Sequence, residues 1–198
     1  VKDKFSQYLL DKIPIAENEL QLISRLCSAR KLRRNQYLLQ EGDTCNFVAF
    51  VVSGCLRTYK TDFKGNEHIV YFAAENWWAG DRESYVKKMP SAFNIDAVEE
   101  TELVYFTREN FEKVSESVPE FNKMMYSLLQ NSFIAAQNKI HAAMTFTAEE
   151  KYNDFVAKFT HLANRIPQQM IASYLGMTPE TLSRVKSAIS KSIDKGNS

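Results

Sequence analysis

Residues 178–187 bring Thr178, Pro179, Glu180, Thr181, Ser183, Arg184, Lys186 and Ser187 together within ten positions. On a helix, Glu180, Thr181, Ser183, Arg184 and Ser187 share one exposed face, with Lys186 at its edge. These are hydrogen-bonding side chains of the kinds that read base edges or grip phosphates. Gln168 and Gln169, just upstream, are grouped with them as candidate nucleic-acid contacts. The apolar positions of the same stretch are Ile171, Leu175, Met177, Leu182 and Val185. Ala172 is small where a second helix would cross the first, and Gly176 supplies a tight turn. Thr178 suits the cap of the second helix and Pro179 its first position. This is the spacing of a helix-turn-helix, with a plain helical hairpin as the competing reading.

Other chemistry is poorly supported. His68, His141 and His161 are the three histidines, and only His68 lies in a strand-like region, so a histidine-rich metal triad cannot be assembled. The chain lacks nucleophile-elbow, phosphate-loop, zinc-protease and dinucleotide fingerprints. Glu99 and Glu100 are neighbours, so on a strand they face opposite ways. Cys27, Cys45 and Cys55 are scattered, too few for an iron–sulfur cluster and without a disulfide framework. The expectation is a protein that is not an enzyme, holds no metal or cofactor, and uses its thiols as small apolar residues.

Something must position the 168–187 segment. The 198 residues are 44% hydrophobic with net charge +1, enough for one sizeable core and not a polybasic chain. The longest apolar run, Phe47 to Val52, is too short to span a bilayer. No basic-then-apolar leader opens the sequence, so no membrane partner and a cytoplasmic location are expected. Residues 16–27 have the spacing of a short amphipathic helix. Segments 36–40, 47–52, 55–60, 67–73, 93–98 and 102–106 are short, rich in Val, Ile, Tyr and Phe, and bounded by Gly- and Asp-containing turns. They read as an antiparallel sandwich or barrel.

From Pro119 the period changes to that of a helix. Tyr126, Leu129, Phe133, Ala136, Ile140 and Ala143 step by three and four, a seam for pairing with a second copy. A wider apolar surface suggests that another face packs on the barrel. Thr147 and Glu150 form a capping box that starts a new helix. The fold expected is α+β in three parts. Residues 1–118 form a jelly-roll-like antiparallel β-roll, 119–146 a long dimerisation helix, and 147–198 a helix-turn-helix domain.

This order resembles the Crp–Fnr family of bacterial transcription regulators, dimers with a cyclic-nucleotide-binding-type β-roll. The supporting motifs are Glu41-Gly42-Asp43, Val51 through Arg57, Phe63 through Glu67, and Pro179-Glu180-Thr181-Leu182-Ser183-Arg184. The resemblance implies a homodimer that binds double-stranded DNA, with RNA polymerase as a further partner and a small-molecule effector of unknown identity. It implies that Arg184 reads guanine O6/N7 and that Glu180 accepts from a cytosine amino group. The competing reading is a cyclic-nucleotide-binding-like signalling module that docks on another protein.

The sequence departs from the family in two places. By resemblance the ligand pocket comprises Tyr71, Trp78, Gly80, Asp81, Arg82, Glu83, Ser84, Ser91, Ala92, Ile134 and Ala135. The family's phosphate-pairing Arg falls at Ser91-Ala92, and its polar purine contacts fall at Ile134 and Ala135. A buried phosphate without its Arg loses charge-assisted hydrogen bonds, so no response to cyclic AMP is expected. Trp77, Trp78, Tyr71, Phe72 and Tyr85 make this region aromatic, with packing favoured over ligand binding. The second departure is the chain end. Residues 191–198 are too short for the usual two-stranded wing, leaving Lys191 and Lys195 as possible phosphate contacts.

Overall fold

The computed structural model describes residues 1–196, with side chains described through Lys191. Two four-stranded antiparallel sheets form the roll. One has the order β1 (Ser28–Leu32), β8 (Thr101–Thr107), β3 (Phe47–Ser53), β6 (Trp78–Ala79). The other has the order β2 (Tyr37–Leu39), β7 (Asn94–Ala97), β4 (Leu56–Thr61), β5 (Glu67–Ala73).

The unbroken apolar run of β3 has a simple cause: both its faces are covered. Phe47, Ala49 and Val51 point between the sheets, whereas Phe50 and Val52 point outward into a second core. That outer core is closed by α1 (Lys2–Lys12), α2 (Glu17–Leu26), α4 (Arg108–Ser117) and the first turn of α5 (Pro119–Thr145). Phe5, Ile23, Phe111 and Phe121 supply the plugs. The outer face of the second sheet is covered in the same way by α6 (Ala148–Lys158), α7 (Gln168–Leu175) and α8 (Pro179–Gly196). The layers are therefore helices, sheet, sheet, helices.

Gly54, between β3 and β4, has φ +93°, and a Cβ there would lie 2.5 Å from the Glu100 carbonyl oxygen. Only glycine fits this corner without a shift. On β5 the pairing with β4 slips between Thr58 and Tyr59, leaving Val70 as an extra residue. Such a bulge frees a backbone carbonyl from the ladder, and Val70 offers its oxygen to the Lys139 ammonium at 2.8 Å.

The strand-like segments read from sequence correspond to β2, β3, β4, β5, β7 and β8, and residues 16–27 to α2. Several elements had no legible pattern. β1 is an edge strand with four exposed positions in five. β6 has two residues. α1 and α4 each bury two side chains. The six-residue α3 (Arg82–Lys87) occupies what reads as a turn.

Candidate nucleic-acid interface and adjoining groove

α7 ends at Gly176, whose φ of +67° lets the Met177 N–H turn back to the Ala172 carbonyl at 3.0 Å. Thr178 Oγ1 accepts from the Thr181 N–H at 3.2 Å and caps α8. Ile171, Ala172 and Leu182 are buried and fix the crossing of the two helices. With Leu182 turned inward, Thr178, Pro179, Glu180, Ser183, Arg184 and Ser187 are exposed, and Thr181 and Lys186 are half-buried. Gln168 and Gln169 are exposed at the start of α7. The Glu180 carboxyl is held below its ordinary value by its own backbone N–H, then by the Thr178 hydroxyl and the nearby Arg184 charge. Arg184 makes one long hydrogen bond, to Thr181 Oγ1 at 3.5 Å, and no ion pair among the described residues. The two ends of this face offer an anionic acceptor and a cationic fork. α8 runs to Gly196 without a following strand among the described residues, and the Lys195 side chain lies outside them.

The helical pair is anchored to the roll by an apolar helix face and by two polar residues, Ser173 and Arg165, that sequence reasoning missed. Phe155, Phe159, Leu162 and Ile166 share one core with Tyr59, Ile69 and Phe72 of the second sheet. Ser173 Oγ donates to the Glu67 carbonyl at 2.7 Å and accepts from the Ile69 N–H at 3.1 Å, tying α7 to β5. Arg165 spans Glu75, at 2.8 Å, and Glu99. Burial raises the Glu75 carboxyl, but hydrogen bonds from Arg165 and from backbone N–H groups outweigh it and leave the group below its ordinary value of 4.5. Because the folded value is the lower one, this attachment is fully present above about pH 4.5 and is lost as pH falls through the depressed folded value. Arg165→Met is expected to speed amide exchange in α7 by about fivefold, as for a partly exposed ion-pair network worth about 1 kcal/mol. It should also flatten the acid limb of stability. Hydrogen exchange followed by mass spectrometry from pH 3 to 7 measures both.

Six of the eleven pocket residues expected from the resemblance line one groove, described below, and the other five do not. Asp81, Ser84 and Ser91 are buried and bonded to one another's neighbourhood. Asp81 Oδ1 accepts from the Glu83 and Ser84 N–H groups at 3.0 and 3.2 Å, and Asp81 Oδ2 accepts from Ser91 Oγ at 2.7 Å. The start of α3 thus already holds a carboxylate of the chain itself. Arg82 and Glu83 are exposed, and Arg82 lies 5.9 Å from the Tyr85 ring instead of beside Ser91. Ala92 and Ile134 are exposed, and neither borders the groove described below. Tyr71, Trp78, Gly80, Asp81, Arg82 and Ala135 do border it. The aromatic cluster is divided between two cores. Trp78 packs against Phe50 and Phe121 in the outer core, whereas Trp77 packs against Tyr71 and Phe159.

One face of α5 meets the roll through buried Phe121 and half-buried Met124 and Met125, and beyond Phe121 no side chain of the helix is fully buried. Its roll-facing side borders a groove of about 820 Å³, open to α6 and α7. Tyr126, Leu129, Phe133, Ala136, Ile140 and Ala143 are all exposed; Tyr126, Leu129, Ala136 and Ala143 border this groove, whereas Phe133 and Ile140, 61% and 63% accessible, do not. An apolar seam this long and this open lacks a partner within one chain. No helix among the described residues is long and apolar enough to cross a membrane.

The geometry agrees with what known proteins show. Residues 29–117, most of the roll, match the family model described as cyclic nucleotide-binding domain. Transcriptional activator protein FnrA of Stutzerimonas stutzeri is 28% identical over 171 residues, covering 79% of this chain and 68% of that protein. Transcriptional activator protein anr of Pseudomonas aeruginosa is 24% identical over the same shares. Among solved structures, FixK2 from Bradyrhizobium japonicum superposes with a TM-score of 0.74 at 19% identity, covering 84% of this chain and 85% of that one. With its roll, its long helix and its helix-turn-helix in that order, the chain is similar in sequence to these transcriptional activators and shares the fold of FixK2.

Proposed function

We propose that the chain is a homodimeric, sequence-specific DNA-binding transcription regulator that works in the cytoplasm without catalysis and without responding to cyclic AMP. The observation that carries the reading is the α8 face: Leu182 is buried while Glu180, Ser183, Arg184 and Ser187 are presented to solvent with no apolar residue between them. A helix that docks on a protein needs an apolar stripe outward, and this one has hydrogen-bonding groups. In the dimer, paired α5 helices set the separation of two α8 helices, each entering a major groove about 34 Å from the other. Arg184 donates to guanine O6/N7, and Glu180 accepts from a cytosine amino group. RNA polymerase is the further partner that the family resemblance implies.

The reading against cyclic AMP is supported by the Asp81 carboxylate. It takes the two N–H groups and the Ser91 hydroxyl that would face a phosphate, and it would repel one. Arg184→Ala is expected to weaken binding to the selected operator by about 1–3 kcal/mol and to relax preference at one base pair of each half-site. Fluorescence anisotropy on the operator and its single-base variants measures this. Unchanged affinity and preference would remove Arg184 from the reading set.

A further inference from the structure

We infer, resting on the DNA-binding reading above, that the outer face of the second sheet is the platform that aims the helix-turn-helix. Ser173 and Arg165 are its positioning residues, and through them the dimer accepts one half-site spacing. The link from α5 does not set the direction of α8. α6 follows α5 through Phe146 and Thr147, both in extended backbone. Units joined by such a link swivel unless a large apolar interface stops them. Here one does: Phe155, Phe159 and Ile171 share a single core with Tyr59, Ile69 and Phe72 of the roll.

Apolar contact resists separation but tolerates sliding, because it has no direction. The direction comes from two polar ties, one ahead of α7 and one near its end. β5 is an edge strand of its sheet, so its outward N–H and C=O groups have no strand to pair with. Ser173 fills one rung: its Oγ donates to the Glu67 carbonyl at 2.7 Å and accepts from the Ile69 N–H at 3.1 Å. A hydroxyl bonded to both groups of a rung is held to that register. Ahead of α7, Arg165 forks across two turns of the roll, with Nη2 2.8 Å from Glu75 Oε1 and Nε 3.1 Å from Glu99 Oε1. Glu75 Oε1 also accepts from the Gly54 N–H at 2.9 Å, so the fork is fixed to the glycine corner between β3 and β4. The two ties fix the line of α7, and the shared core stops rotation about it. α8 follows, because buried Ala172 and Leu182 lock the two helices together.

In the dimer the α5 pair sets the distance between the two rolls, and each platform sets where its own α8 points. One base pair added between half-sites moves the second site by about 3.4 Å and turns it by about 35°. A helix pair free to swivel follows such a change, and one clamped to the roll does not. Ser173 lies on α7 and Arg165 ahead of it, both away from the α8 face. Loosening the clamp therefore removes spacing discrimination and leaves base discrimination in place.

The test compares the operator selected by the parent chain with versions carrying one base pair more or one fewer at the centre, by fluorescence anisotropy. The parent should bind both altered operators at least about tenfold more weakly. In Ser173→Ala with Arg165→Met that penalty should fall below about threefold, and Ser173→Ala alone should lower it part of the way. Preference at single bases of the half-site should stay as in the parent. A general loss of structure would instead weaken every operator alike and leave the spacing penalty in place. A second measurement needs no DNA. Ala188→Cys, exposed on α8 and outside the reading face, takes a fluorophore, since Cys27, Cys45 and Cys55 are buried. Its anisotropy decay should show only whole-molecule tumbling, with a faster segmental component appearing in the double variant. A segmental component in the parent, a parent that binds altered spacings equally well, or a double variant that keeps the full penalty would overturn the platform. A still label in a chain that selects no operator would overturn the DNA-binding reading itself, and the spacing claim with it.

Discussion

Arg57→Leu is expected to destabilise the chain by about 3–5 kcal/mol, because it strands a buried carboxylate. Arg57 Nε lies 2.7 Å from Asp96 Oδ1 and its Nη2 3.0 Å from Oδ2, with a further pair to Glu67. Burial works against the charge on Arg57, yet its two acidic partners hold it firmly protonated. The partners differ in what happens when it is lost. Glu67 is 43% accessible and swings into water, whereas the Asp96 side chain is 4% accessible and has nowhere to go. Asp96 must then sit buried as an anion or take up a proton, so the variant should be less unstable at acidic pH than at neutral pH. The double variant Arg57→Leu, Asp96→Leu should recover most of the loss, since removing both charges leaves no orphan. Urea unfolding followed by tryptophan fluorescence checks the three proteins. A loss below about 1 kcal/mol for the single variant would place Arg57 among ordinary surface pairs.

The second large effect concerns the α5 seam. Phe133→Asp with Ile140→Asp should convert the dimer to a monomer at micromolar concentration and lower operator affinity at least about a hundredfold. Both side chains are more than half exposed in one chain, so the substitutions cost the fold little. In the dimer they would remove two large apolar contacts per copy and bring like charges together across the axis. Sedimentation velocity reads the oligomeric state, and unfolding in urea shows that the monomer is folded. A dimer that survives both substitutions would move the interface off α5.

Much of this was legible because periodicity survives burial. Ile171, Ala172, Gly176, Thr178 and Leu182 fix the helix pair by spacing alone, and their burial, turn and cap follow that spacing. What was not legible depends on contacts distant in sequence. Ser173 reads as one more polar residue on a helix until α7 lies beside β5, 104 residues away. Arg165 gains meaning only beside Glu75 and Glu99. Trp77 and Trp78 read as one aromatic cluster, but Trp77 precedes β6 and Trp78 opens it, and the two enter different cores. The Asp81 cap on α3 depends on a fold that brings Ser91, ten residues away, onto its carboxylate.

The most direct test of α8 as a DNA-reading helix is selection of bound fragments from random-sequence duplex DNA by the purified chain, with and without cyclic AMP, beside Arg184→Ala. The account predicts enrichment of a twofold-symmetric site with half-sites one helical turn apart, unchanged by cyclic AMP, and losing its guanine preference in the variant. Fragments recovered with no shared sequence, or the same site enriched equally by Arg184→Ala and the parent chain, would contradict it.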